Sequence, residues 1–290
     1  TPQPETDLVE LVDTPPLHEP TLVLALEGWI DAAGAAQGAR NQLLDIGVGR
    51  CLARFNTDRL LDHRHRRPIL RLVDGVASGL TWPTLELSLL NEITETEILL
   101  LHGVEPDHDW RSFAAAVTDL CVQFGVTLVI GLGAYPAAVP HTRPTRLSCT
   151  AGSAEMKTRL EVIAASAEVP AGAQAVIEEK TTAAQIPTIG LWAQVPHYLS
   201  TGPYPPATLA LLSGIAGLTS ASLDTGLLPD RALAARNRLD QLVAQNPEHV
   251  ALIEKLEVAY DELHELGVQL PSGDDLAAEL EAFLRDQNEA

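Results

Sequence analysis

The chain has 290 residues, 46% of them hydrophobic but only 4% aromatic, so a large core has to be assembled mainly from Leu, Val, Ile and Ala. Nineteen Lys and Arg against 39 Asp and Glu leave a formal charge of −20, a field that repels polyanions and excludes nucleic acid as the main partner. Lysine occurs only at Lys157, Lys180 and Lys255, which also weighs against an enzyme that grips polyphosphates.

Residues 1 to about 19 are polar and proline-bearing and read as an irregular arm. The apolar run Thr21 to Leu26 then predicts a strand ending in Glu27-Gly28-Trp29-Ile30-Asp31, with Asp31 placed to cap a following helix. Gly34 and Gly38 in that helix would let it lie close to the sheet. The glycine pattern is not Gly-x-Gly-x-x-Gly and the P-loop lysine is missing, so a nucleotide cofactor is not expected. Arg50 to Phe55 predicts the next strand. His63-Arg64-His65-Arg66-Arg67-Pro68 is a short basic patch, and Asp74-Gly75 is a hairpin signal between two extended pieces, an excursion suited to subunit contacts. Leu85 to Ile93 and Glu97 to Leu101 predict two further strands, the second running into His102-Gly103-Val104-Glu105-Pro106. From Asp109 to Phe124 the spacing of Trp110, Phe113, Val117, Leu120, Cys121 and Phe124 is that of an amphipathic helix.

Thr127 to Gly133 predicts a buried strand, Thr145 to Thr150 another, and Ile186 to Trp192 a third; helices are expected over 155–165, 174–184 and 207–222. Strands alternating with helices predict an α/β core with a mostly parallel sheet over residues 20–222. Beyond it, 223–290 reads as a helical C-terminal appendage. Residues 246–290 hold twelve acidic and two basic residues, about half of the net charge, while Ile253, Leu256, Tyr260 and Leu263 keep an apolar helical seam. Cys51, Cys121 and Cys149 are odd in number and lack metal spacing, so reduced, buried thiols and a cytoplasmic setting are expected. No apolar run approaches a membrane span, no charged-then-apolar leader opens the chain, and no helix carries a paired metal-ligand spacing.

The most distinctive stretch is Val139-Pro140-His141-Thr142-Arg143-Pro144. Prolines push the residues before them toward extended geometry, so His141 and Arg143, two apart, share a face: a proton carrier beside a fixed cation. The tripeptide returns as Val195-Pro196-His197, followed by Tyr198. Both loops follow predicted strands, and crevices in open α/β sheets lie beyond strand carboxyl ends. The two loops are therefore expected to meet at one rim.

Glu27-Gly28-Trp29-Ile30-Asp31-Ala32, Trp82-Pro83, Gly103-Val104-Glu105-Pro106, Trp110, Leu132-Gly133-Ala134, Pro140-His141-Thr142-Arg143-Pro144 and Trp192-Ala193-Gln194-Val195-Pro196-His197-Tyr198 occur in an order that resembles the proteasome assembly chaperone 2 family, in its bacterial branch with a helical C-terminal extension. The resemblance covers roughly residues 20–220. It implies a phosphorylase/hydrolase-like α/β fold and a homo-oligomer, a trimer being favoured, with a hairpin insertion at the contact and C-terminal helices near the pocket. Contact with a proteasome is implied by the family alone. Two departures stand out. Where many relatives carry Tyr-x-Gly-Pro, this chain reads Val169-Pro170-Ala171-Gly172-Ala173-Gln174. The sequence closes with Glu289-Ala290, unlike the hydrophobic-Tyr-x tail of relatives that dock on proteasome rings.

Two functions follow as expectations. The first is a ligand-binding or assembly protein without turnover, since a serine-nucleophile motif, a metal cluster and a phosphate loop are all missing. The second is a hydrolase or phosphorylase-like enzyme for a small anionic substrate. There His141 or His197 would move the proton, Glu27 or Asp31 would orient a histidine or hold a cation, and Arg143 would hold the anion, helped by Trp29, Glu105, Thr142 and Tyr198. No cofactor enters either reading and no metal ligand is assigned, metal binding being a weaker variant of the second.

Overall fold

The computed structural model describes residues 8–28, 30–47, 49–90, 97–153, 168–219 and 221–265. Its strands are β1 (Val9–Leu11), β2 (Thr21–Glu27), β3 (Arg50–Phe55), β4 (Ile69–Val73), β5 (Val76–Thr81), β6 (Leu85–Leu90), β7 (Ile98–Val104), β8 (Leu128–Ala137), β9 (Leu147–Ala151) and β10 (Thr188–Pro196). The helices are α1 (Ala35–Ile46), α2 (Thr57–Leu60), α3 (Trp110–Phe124), α4 (Ala173–Ala183), α5 (Pro205–Thr219), α6 (Leu228–Val243) and α7 (Pro247–Glu265). The helix expected over 155–165, the end of the strand expected to reach Ile93, and the part of the helical appendage beyond residue 265 lie outside the described residues.

Eight strands form one mixed sheet in the order β1-β3-β6-β7-β2-β8-β10-β9. The parallel part expected from the strand–helix alternation is the central block β7-β2-β8-β10, and antiparallel strands extend it on both sides. Its strands are apolar almost throughout because both faces are covered. One face packs Leu22, Leu24, Leu99 and Leu101 against Phe113, Val117 and Leu120 of α3 and Ile177 of α4. The other packs Val23, Ala25, Ile130 and Ile189 against Ala36, Ala39 and Leu43 of α1 and Leu211 and Ile215 of α5. Each such aliphatic side chain contributes about 1.5–3 kcal/mol when fully buried.

Gly38 has a different use from the one its position predicts. It faces α5 rather than the sheet: a Cβ there would lie 2.5 Å from the Thr208 hydroxyl. Small residues are required where the two helices cross closely. Gly34 sits in the left-handed region (φ 62°) and turns the chain into α1. Cys121 is buried on α3, and its thiol is pushed up to about 12 by burial, whereas Cys51 and Cys149 are half-buried; none of the three is in a disulfide.

β4 and β5 pair only with each other, as a hairpin around Asp74-Gly75. Every residue of both strands is exposed, Ile69 at 71% and Val76 at 67% among them. Helices α6 and α7 follow the core, with Ile253, Leu256 and Tyr260 buried as the seam predicts.

Candidate functional site: a polar loop closed by the C-terminal helices

β8 and β10 run side by side in parallel with Ala137 opposite Pro196, so the two Val-Pro-His segments leave the same edge of the sheet. Their side chains meet. The Tyr198 hydroxyl accepts from the His141 backbone N–H at 2.9 Å and lies 2.8 Å from His141 Nδ1. Having accepted that N–H, the hydroxyl has its own proton to give to Nδ1. With that proton on the hydroxyl, His141 is the neutral Nε2–H tautomer, which turns its N–H toward Asp240. Nε2 faces Asp240 Oδ1 of α6 at 3.2 Å but lies off the line of a good hydrogen bond. The His141 side chain is 1% exposed, and burial lowers its pKa, opposed by the nearby Asp240 carboxylate. The Tyr198 ring packs edge-on against both His141 and His197. Burial pushes its phenol above its ordinary range, so it serves as a neutral hydrogen-bonding group. His197 Nδ1 reaches only the Ala137 carbonyl, at 3.4 Å.

Arg143 is already matched. Its Nε and Nη2 donate to the two oxygens of Asp261 at 2.9 and 2.6 Å, a bidentate fork, and Nη1 donates to Glu257 Oε1 at 2.9 Å. The Thr142 hydroxyl also donates to Glu257 Oε1. Glu257 and Asp261 are four apart on α7, one face of the helix, so a single turn delivers both carboxylates. Beside them the Tyr260 hydroxyl donates to the Pro144 carbonyl at 2.9 Å, and the Arg146 guanidinium lies 3.9 Å above the Tyr260 ring. The carboxylates that meet the loop are supplied by the chain's own helix α7.

The other predicted site residues have local partners. Glu27 Oε1 accepts from Arg40 Nη1 of α1 at 2.7 Å, so its carboxylate orients Arg40 rather than a histidine. Asp31 accepts the Ala36 and Gln37 N–H groups at 2.7 and 2.9 Å. It is the predicted cap, half-buried, with burial raising its pKa. Glu105 accepts from the Ala173 N–H at the start of α4 and lies beside Gly28. Trp29 lies outside the described residues. Asp240, Glu257, Tyr260 and Asp261 were missed from the sequence, since acidic residues on a helix read as a solvated face. Their spacing beside the Tyr260 seam was the available signal. Among the described residues no cluster of three or more His, Cys, Asp or Glu side chains is arranged to hold a metal.

A mixed α/β sheet with a polar loop at its strand ends, closed by an appended helical pair, defines a recognisable class of protein. The chain belongs to the PAC2 family, whose model matches residues 25–243. It is similar to a Corynebacterium glutamicum protein of unknown function, with 32% identity and a TM-score of 0.82 over 89% of this chain and 98% of that one. A Mycobacterium tuberculosis proteasome-assembly chaperone homologue is 31% identical, with a TM-score of 0.74 over 80% of this chain and 99% of that one. An archaeal proteasome activator from Pyrococcus furiosus, 15% identical with a TM-score of 0.63 over 81% of this chain and 97% of that one, shares the fold. No functionally curated protein matches the chain.

Proposed function

We propose that this protein is an assembly or interaction factor of the proteasome-assembly-chaperone kind, and that its Pro-His-Thr-Arg-Pro loop recognises carboxylates presented on a helix. One observation carries this reading: Arg143, Thr142 and Arg146 hold Glu257, Asp261 and the Tyr260 carbonyl of one helix, the geometry of a protein–protein contact. A small-substrate enzyme at the same loop has less support. His141 Nδ1 is committed to Tyr198, its ring is enclosed, and Glu27 is held by Arg40.

The family relation makes proteasome subunits the first partners to test. Purified protein would be mixed with proteasome α and β subunits of the same organism and assembly intermediates followed on native gels. The reading expects the intermediates to shift, and the shift to change with Arg143→Ala. Turnover of any compound in a hydrolase and phosphorylase panel, lost in His141→Asn, with no effect on assembly, would replace it with the enzyme.

Self-association through the hairpin belongs to the same reading. Ile69, Leu70, Leu72 and Val76 are exposed, flanked by exposed Arg64, Arg67 and Arg71. An apolar, cationic ribbon on a chain of charge −20 fits a second copy of that chain.

A further inference from the structure

The far end of the sheet carries a second polar site. β10 runs nine residues from Thr188 to Pro196, so its start lies roughly 26 Å from the His141 rim at about 3.3 Å per residue. Beside that start, between β9 and α4, is an open hollow of about 260 Å³ lined by Thr150, Gly152, Glu178, Glu179, Thr182 and Gly190 among others. The two charged residues among its lining are both acidic.

Glu178 is not a solvated surface acid. Its carboxyl lies flat on the sheet where β8 and β10 present glycine: a Cβ on Gly131 would run into Oε1, and one on Gly190 would approach it to 3.4 Å. Its Oε1 accepts a hydrogen bond from the Gln174 amide at 2.9 Å. Among the described residues neither a cation nor a second hydrogen-bond donor reaches it. The Thr182 hydroxyl, on the next turn of α4, is buried and makes no hydrogen bond. Thr150 already accepts from the Trp192 indole N–H at 3.1 Å and has its own hydroxyl lone pair and proton in the same hollow. A buried carboxyl and an unsatisfied hydroxyl around an open polar hollow are a costly arrangement for a protein at rest.

We propose that this hollow binds a small organic ammonium ion, whose charge is met by Glu178 and whose N–H groups are accepted by Thr182 and Thr150. The ligand class follows from the described lining residues, which offer acceptors and acids, on a chain whose overall field attracts cations. Two acids are too few for a metal cage of protein oxygens, and among the described residues no metal-ligating cluster is present. The site stands apart from the loop at the other rim and does not depend on the reading given to it.

Burial pushes the Glu178 carboxyl up to about 7, opposed only by the Gln174 amide; Glu179 is the other titratable group in the hollow. A bound ammonium ion requires the ionised form. Affinity therefore rises with pH, by about tenfold between pH 6 and pH 8 as the ionised fraction goes from about a tenth to about nine-tenths. The test is calorimetric titration of the full chain with 1,4-diaminobutane, using 1,4-butanediol as the neutral control. Saturable binding of the diamine but not the diol is expected, with the pH dependence above. Glu178→Gln should weaken it at least tenfold, and Thr182→Val severalfold. Absence of saturable diamine binding at millimolar concentration, equal binding of the diol, or wild-type affinity in Glu178→Gln overturns the proposal. Thermal melts establish that each variant is folded, and the wild-type pH profile decides the case by itself should Glu178→Gln fail to fold.

Discussion

Tyr260→Ala tests whether α7 is a closure that can open or a part of the core. Tyr260 is 8% exposed and shares its seam on α7 with the buried Ile253 and Leu256. The substitution removes an aromatic ring from between Arg146 and the loop, together with the hydroxyl that satisfies the Pro144 carbonyl. Aromatic truncations at buried sites cost about 3–5 kcal/mol. Taking the low end for a ring at the edge of the fold, about 3 kcal/mol raises the open population roughly a hundredfold. The eight-stranded sheet shares none of these contacts and should keep its stability. Amide exchange followed by mass spectrometry should therefore show protection in α7 falling roughly a hundredfold while β2, β7 and β8 are unchanged, with Arg143 and Thr142 becoming accessible. A uniform loss of protection across sheet and helix would refute the argument, because it would make α7 part of one cooperative unit with the core.

Four further outcomes are expected. Burial holds the His141 pKa below its unfolded value, so His141 contributes stability above about pH 6.5 that is lost as pH falls through the lowered native value; a pH series of melts should show this slope, and His141→Asn, which keeps an acceptor for Tyr198, should flatten it. Glu178 has the opposite sign: its native value near 7 lies above the ordinary 4.5, so its stabilising share is complete below about pH 4.5 and lost as pH rises toward 7. Glu178→Gln should then melt higher than wild type at pH 8 and close to it at pH 4.5. Asp31→Ala strips α1 of the carboxylate that accepts from Ala36 and Gln37 and should destabilise by about 1–2 kcal/mol in urea titrations. Leu70→Glu with Leu72→Glu should shift sedimentation toward the monomer without lowering the secondary-structure signal, since both side chains are exposed on a hairpin separate from the eight-stranded sheet.

Much of the architecture was legible residue by residue. The apolar runs Thr21–Leu26 and Thr127–Gly133, the helical spacing from Trp110 to Phe124 and the Asp74-Gly75 turn all correspond to elements, because local period and turn chemistry act over a few residues. The two Val-Pro-His loops were also placed at one rim from their order after strands, and Asp31 was read as a cap. Pairing across long separations was not legible in the same way. Nothing local shows that Glu27 would meet Arg40, that Gly38 would face Thr208, or that residues 257 and 261 would reach Arg143.

What the sequence determined by itself was the periodicity of each segment, the stiff His-Thr-Arg presentation between two prolines, and the family. The tertiary structure alone decided which charges meet. An acidic helix is amphipathic whether its polar face is wet or docked, and only the path of the chain after α5 turns Glu257 and Asp261 back onto the loop. Coulomb pairing depends on distance in space rather than along the chain, so the partner of Arg143 could be read only once the fold had brought it there.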